Sequence, residues 1–207
     1  MKKFLSVVLA FLMLAVMLPT TALADLAEGE TCVAKIGETK YETLDKAIQA
    51  AANDETPTTI SLENGVTVYL TNGTANENNN SRNVKIVGNG TQTVDVIQNA
   101  VNAEGGMLSY QRGSKFAFEN VTVKAGEGNF DGIVCSALTF NNCTITGKLT
   151  LYGVATFTGC TFNNTMANQY SIWTWGGTAV TVENCTFNTN GKAILLYGQA
   201  TAQNPTN

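Results

Sequence analysis

The sequence predicts an all-β chain built as a β-solenoid, with one short helix near its N-terminus. Repetition is the first sign: FAFENVTV (116–123), LTFNNCTI (138–145), ATFTGCTF (155–162) and VTVENCTF (180–187) align without gaps. Val121, Cys143, Cys160 and Cys185 hold the same place in these units, separated by 22, 17 and 25 residues. Uneven periods point to stacked turns of chain joined by loops of different length, not to a fixed-length helical repeat. Composition is the second sign. The 207 residues include 29 Thr, 23 Asn and 19 Gly, a mix that favours short strands and tight turns over helices.

From the N-terminus, residues 1–24 read as a signal peptide. Lys2 and Lys3 form a positive start, Phe4–Leu18 is an apolar run, and Ala22 and Ala24 are the small residues before a cut near Ala24. The apolar run is short and ends at Pro19, which disfavours a membrane anchor, and no membrane insertion is expected after cleavage. No Cys follows the cut, so no lipid anchor is indicated. The chain is therefore expected to be secreted or held at the cell surface, with a formal charge that moves from −4 to −6 once both lysines are lost. Residues 25–58 read as a strand–helix segment. VAKIGETKY (33–41) suits two short strands around Gly37, and TLDKAIQAAAN (43–53) places Leu44, Ala47, Ile48 and Ala51 on one helical face behind Thr43 as N-cap.

Residues 59–207 read as the solenoid itself. Short β-like segments fall at 59–62, 66–70, 84–87 and 94–97, and NGTANENNNSRN (72–83) is a polar loop with nothing to bury. In the repeated unit, Phe140, Cys143 and Ile145 are apolar. The step of two from Cys143 to Ile145 is that of a strand, and the step of three from Phe140 requires a corner. Asn120, Asn142 and Asn184 stand at that corner, with Gly159 in the remaining unit, and Asn and Gly tolerate left-handed backbone angles. A second strand set, KLTLYG (148–153), SIWTWG (171–176) and AILLYG (193–198), aligns on its aromatic–Gly ends. With Leu149, Leu151, Ile172, Thr174, Ile194 and Leu196 inward, Tyr152, Trp175 and Tyr197 form one outward column. Thr150, Trp173 and Leu195 form another, and Tyr110 extends the first.

The opening VAKIGETKYETLDKAIQAA, the segment NVKIVGNG and the F-x-N-C-T-F units resemble right-handed parallel β-helix proteins of the pectate-lyase-like group, in particular secreted or surface types from Gram-positive gut-type bacteria. The resemblance spans about residues 33–198 and implies a right-handed parallel β-helix whose N-terminal end is capped by the helix at 43–53. Its repeat motif says more about fold than about activity, because this architecture carries lyases, hydrolases, adhesins and structural spikes. The family pattern also implies further C-terminal coils or domains after QATAQNPTN, or else a partner over that end, since the last coil has a first strand and no corner unit.

Much chemistry is excluded at once. With no His there is no Ser-His-Asp or Cys-His triad and no His-bound zinc, and the acidic charge disfavours nucleic acid as a partner. Cys143, Cys160 and Cys185 share one inward column. They read either as a disulfide between neighbours or as buried thiols, and in-register strands seldom supply disulfide geometry, which favours thiols. Cys32 and Cys135 show no evident partner, and the Cys-X-X-Cys spacing of zinc ribbons is absent, so neither metal nor cofactor is implied. Enzymes of the resembled group work with clustered Asp/Glu and an Arg or Lys base. Here Asp131 and Glu183 are the only carboxylates after residue 128, Arg82 and Arg112 stand apart from any such cluster, and Lys148 and Lys192 read as solvated cations at strand starts, so no catalytic residue is assigned. Tyr152, Trp173, Trp175 and Tyr197 are the candidate binding stripe, with a polysaccharide or host or bacterial glycan as expected partner; mutual stacking for stability is the plainer alternative. The sequence thus suits a non-catalytic surface binding module. The alternatives are part of a polysaccharide lyase or glycoside hydrolase whose catalytic coils lie elsewhere, and the stalk of a surface adhesin.

Overall fold

The computed structural model describes residues 31–52, 54–70, 81–96, 107–109, 113–126, 132–175 and 179–197. The signal-peptide segment 1–24, most of the polar loop at 72–83, Tyr110 and the tail at 199–207 lie outside the described residues, as do the side chains of Trp175 and Tyr197.

The described chain opens with an antiparallel hairpin of β1 (Ala34–Ile36) and β2 (Thr39–Tyr41), turned at Gly37 with φ 57°. Helix α1 (Leu44–Ala50) follows, and Thr43 caps it by accepting the Lys46 N–H on Oγ1 at 3.1 Å. The helix stops three residues short of the span expected from the sequence. Ala51 is already extended, and the Arg82 guanidinium takes the carbonyls that a further turn would use. Its Nε donates to Ile48 O at 3.1 Å and its NH2 to Gln49 O at 3.3 Å, which satisfies the helix end and places a cation at its negative pole.

Beyond the helix the regular elements among the described residues are all β-strands, and every strand pair is parallel except those made by β1. One set of strands comprises β3 (Thr58–Leu62), β5 (Asn83–Val87), β8 (Lys115–Glu119), β10 (Gly132–Asn141), β12 (Leu149–Thr158) and β15 (Val180–Glu183). A second comprises β4 (Thr67–Tyr69), β6 (Thr93–Asp95), β9 (Thr122–Lys124), β11 (Thr144–Thr146), β13 (Thr161–Asn164) and β16 (Thr186–Thr189). A third strand position is filled by β7 (Met107–Ser109), the first halves of β10 and β12, β14 (Tyr170–Trp175) and β17 (Lys192–Tyr197). Because β10 and β12 run through two positions, the described strands form an 11-stranded and a 6-stranded sheet. Each unit lays its strands on those of the unit before, in sequence order, an arrangement compatible with a solenoid.

The corner residues are where the sequence places them. Asn120, Asn142, Gly159 and Asn184 have φ of 54°, 52°, 65° and 54°, and each stands between a strand of the first set and one of the second. One left-handed residue turns the chain while the residues on both sides still point inward. Ile60, Ile86, Phe118, Phe140, Phe157 and Val182 consequently form one in-register inner column. Val68, Val94, Val123, Ile145, Phe162 and Phe187 form a second, across the core. Rings stack along the columns: centroids are 5.0 Å apart for Phe118–Phe140, 4.7 Å for Phe140–Phe157 and 4.4 Å for Phe162–Phe187, all within 8° of coplanar. Phe157 meets Phe162 edge-on at 5.2 Å and 63°, which joins the columns.

The aromatic–Gly motif of residues 152–153 is a bend within a strand and not a strand end. Opposite it the register steps, so that Cys135 and Ser136 together face Gly153. Gly153 has φ 117°, and a Cβ there would lie 2.0 Å from Cys135 O, so only glycine lets β12 pass β10 at this point.

Removing a ring from the column should therefore be costly. Phe140→Ala is expected to lose about 3–5 kcal/mol in urea unfolding. At the corner, Asn142→Gly should be close to neutral and Asn142→Val should lose about 1–2 kcal/mol.

Candidate functional site

The stripe of aromatic residues depends on the third strand position. Register there is as the sequence implies: Leu149, Thr150 and Leu151 of β12 pair with Ile172, Trp173 and Thr174 of β14, which pair in turn with Ile194, Leu195 and Leu196 of β17. Leu149, Leu151, Ile172 and Thr174 are buried, and Trp175 pairs with Tyr197. Tyr152 is 40% exposed, in keeping with an outward position.

The outward face is not bare, however. Thr150 is 0% exposed and Trp173 is half-buried. Lys148, expected as a solvated cation, is also 0% exposed. Its ammonium lies 4.9 Å from the Trp173 ring centroid and 3.4 Å from Gln169 Oε1. A buried ammonium is tolerated only where such partners replace water, and the indole face supplies part of that attraction. Trp173 is thus one wall of a covered polar patch and not an open stacking platform. Ser171, two residues before Trp173 on β14, is also fully buried, and its Oγ meets no partner among the described residues. Lys192 does not align with Lys148. It pairs with Tyr170, is exposed, and holds its ammonium 5.2 Å from the Tyr170 ring centroid. Ile194 and Leu196, expected inward, are 37% and 40% exposed, because no described layer lies over β17.

The cysteine column has a regular geometry of its own. Each thiol leans back one unit toward the carbonyl of a column residue: Cys143 Sγ to Phe118 O at 3.4 Å, Cys160 Sγ to Phe140 O at 3.3 Å, and Cys185 Sγ to Phe157 O at 3.6 Å. Cys135 donates to Ala137 O at 3.2 Å, while Cys32 sits beside Ala34 O and Glu63. All five are free thiols. Burial pushes the Cys135 thiol up to about 12. The Cys143 thiol is raised by its contact with Cys160 and then by burial, and Cys185 is raised by burial. The same contact lowers Cys160.

Arg82, one of the two arginines considered as a base, is committed to the helix end described above. The roles of Arg82 and Lys148 had no local signal in the sequence, since their partners lie far along the chain or emerge from register. Among the described residues no group of three or more Cys, Asp or Glu gathers as a metal site, and no helix is long and apolar enough to cross a membrane. Comparison with family models, with curated proteins and with solved structures gives no match to this chain.

The thiol environments set an expected labelling pattern. In the native protein at pH 8.5, iodoacetamide should leave Cys135 and Cys143 unmodified, whereas all five cysteines should react in 6 M guanidinium; peptide mass spectrometry reads both states.

Proposed function

We propose that the chain is an exported right-handed parallel β-helix, cleaved near Ala24, which acts as a secreted or surface module binding a glycan without catalysing its breakdown. Support for the winding comes from the parallel stacking of units in sequence order and from the repeated left-handed corner. In this reading residues 25–58 cap the stack, and residues 59–207 form its coils.

The observation that carries the ligand is the patch on β12 and β14. An exposed Tyr152 lies on the same outward side of the sheet as half-buried Trp173, which the Lys148 ammonium backs from within. Sugar rings combine an apolar face with a rim of hydroxyls, so an exposed aromatic ring on a rigid sheet suits that apolar face. Trp175 and Tyr197 continue the strand pairs toward the same edge. The sparse carboxylates after residue 128 favour binding over proton-transfer chemistry.

Affinity electrophoresis through gels containing individual polysaccharides tests this. At least one should retard the protein, and Tyr152→Ala or Trp175→Ala should weaken the retarding interaction about tenfold, roughly 1.4 kcal/mol. Absence of retardation across the panel, or retardation that neither substitution alters, removes the glycan reading. Release of reducing ends or of unsaturated products would make the protein an enzyme instead.

A further inference from the structure

Among the described residues, the thiol column has one end that is not fully buried. Cys143 and Cys160 are buried at 2% and 1% exposure, and Cys185, in the last described unit, is half-buried. The Cys160 N–H points at Cys185 Sγ, 3.3 Å away, so the outer sulfur already sits against its neighbour. We propose that Cys185 and Cys160 form a modification site, in which exchange with a low-molecular-weight disulfide closes a reversible Cys160–Cys185 bond.

Geometry permits the bond at this place more readily than within a strand. Neighbouring strands lie about 4.8 Å apart, inside the roughly 4.4–6.8 Å that separates the Cα atoms of bridged cysteines. Both cysteines directly follow left-handed corner residues, Gly159 and Asn184, and precede the paired run that begins at Thr161 and Thr186. Cys160 Sγ now points at Phe140 O, so closing the bond requires its side chain to leave that carbonyl for another staggered well.

The chemistry proceeds in two exchanges. The Cys185 thiolate attacks a small disulfide RS–SR, forming a mixed disulfide and releasing one RS⁻. Cys160, whose thiolate is favoured by the Cys143 S–H beside it, then attacks the Cys185 sulfur and expels the second RS⁻. Two electrons pass from the cysteine pair to the oxidant, and the two cysteine protons leave with the released thiols. Cys143, 2% exposed, stays reduced. The bond closes a loop between positions 25 residues apart and ties the last described unit to the one beneath it.

Oxidised glutathione is the probe. The protein is equilibrated with it, free thiols are blocked with N-ethylmaleimide in denaturant, and unreduced peptides are mapped by mass spectrometry. The expected product links the Cys160 and Cys185 peptides, disappears with dithiothreitol, and leaves Cys143 alkylated. In Cys160→Ser, a glutathione adduct on Cys185 should accumulate at least about tenfold above its level in the unaltered chain. If that variant fails to fold, early quenching of the unaltered chain should show the Cys185 adduct before the cross-link. An unreacted Cys185, a stable Cys185 adduct without the link to Cys160, or a link between Cys143 and Cys160 would overturn the proposal. Cys32 reports separately, because it maps to its own peptide.

Discussion

In-register parallel pairing is the constraint on which the rest of this structure depends. When each unit hydrogen-bonds to its predecessor residue for residue, whatever occupies a position is repeated as a column about 4.8 Å apart. Favourable neighbours are then favourable many times over, as in Phe118, Phe140 and Phe157, and an awkward residue has no way to slip aside. The left-handed corner keeps the columns in phase between the two sheets. Without one turning residue at Asn120, Asn142, Gly159 and Asn184, the next strand would present its polar side to the core.

This constraint also explains which parts of the fold were legible in the sequence. The corner, the inner columns and the pairing of Leu149 with Ile172 and Ile194 follow from local spacing repeated along the chain, and the structure has them at those residues. The N-cap Thr43 was legible for the same reason, since capping is a matter of three or four residues. What local spacing could not show is where a column ends or what covers it. Ile194 and Leu196 have inward register and large exposure, because burial depends on the next layer and not on the strand itself.

The candidate site was read less completely. Alternation identified Tyr152 and Trp173 as outward, but outward on a sheet does not mean free. Thr150 and Lys148 are fully buried on that side, and the ammonium occupies space near the indole face. Lys192 was matched to Lys148 by its position near a strand start, yet pairing assigns it to Tyr170, one residue out of phase. A single-residue offset moves a side chain to the other face of a strand, so small errors of alignment have large consequences here. The bend at Gly153 was hidden likewise, because a glycine after an aromatic residue looks like an end until its carbonyl neighbour is known.

Arg82 and Asn83 are adjacent, and together they fasten the N-terminal end. Arg82 holds the last carbonyls of α1, and Asn83 donates to the carbonyls of Asp54 and Glu55 at 2.8 and 2.9 Å. The first of these clamps reaches back 34 residues. A ribosome delivers the chain N-terminus first, so the helix is born without its latch. It gains that latch only after β3 and β4 have also been made and Arg82 has emerged, 34 residues behind Ile48.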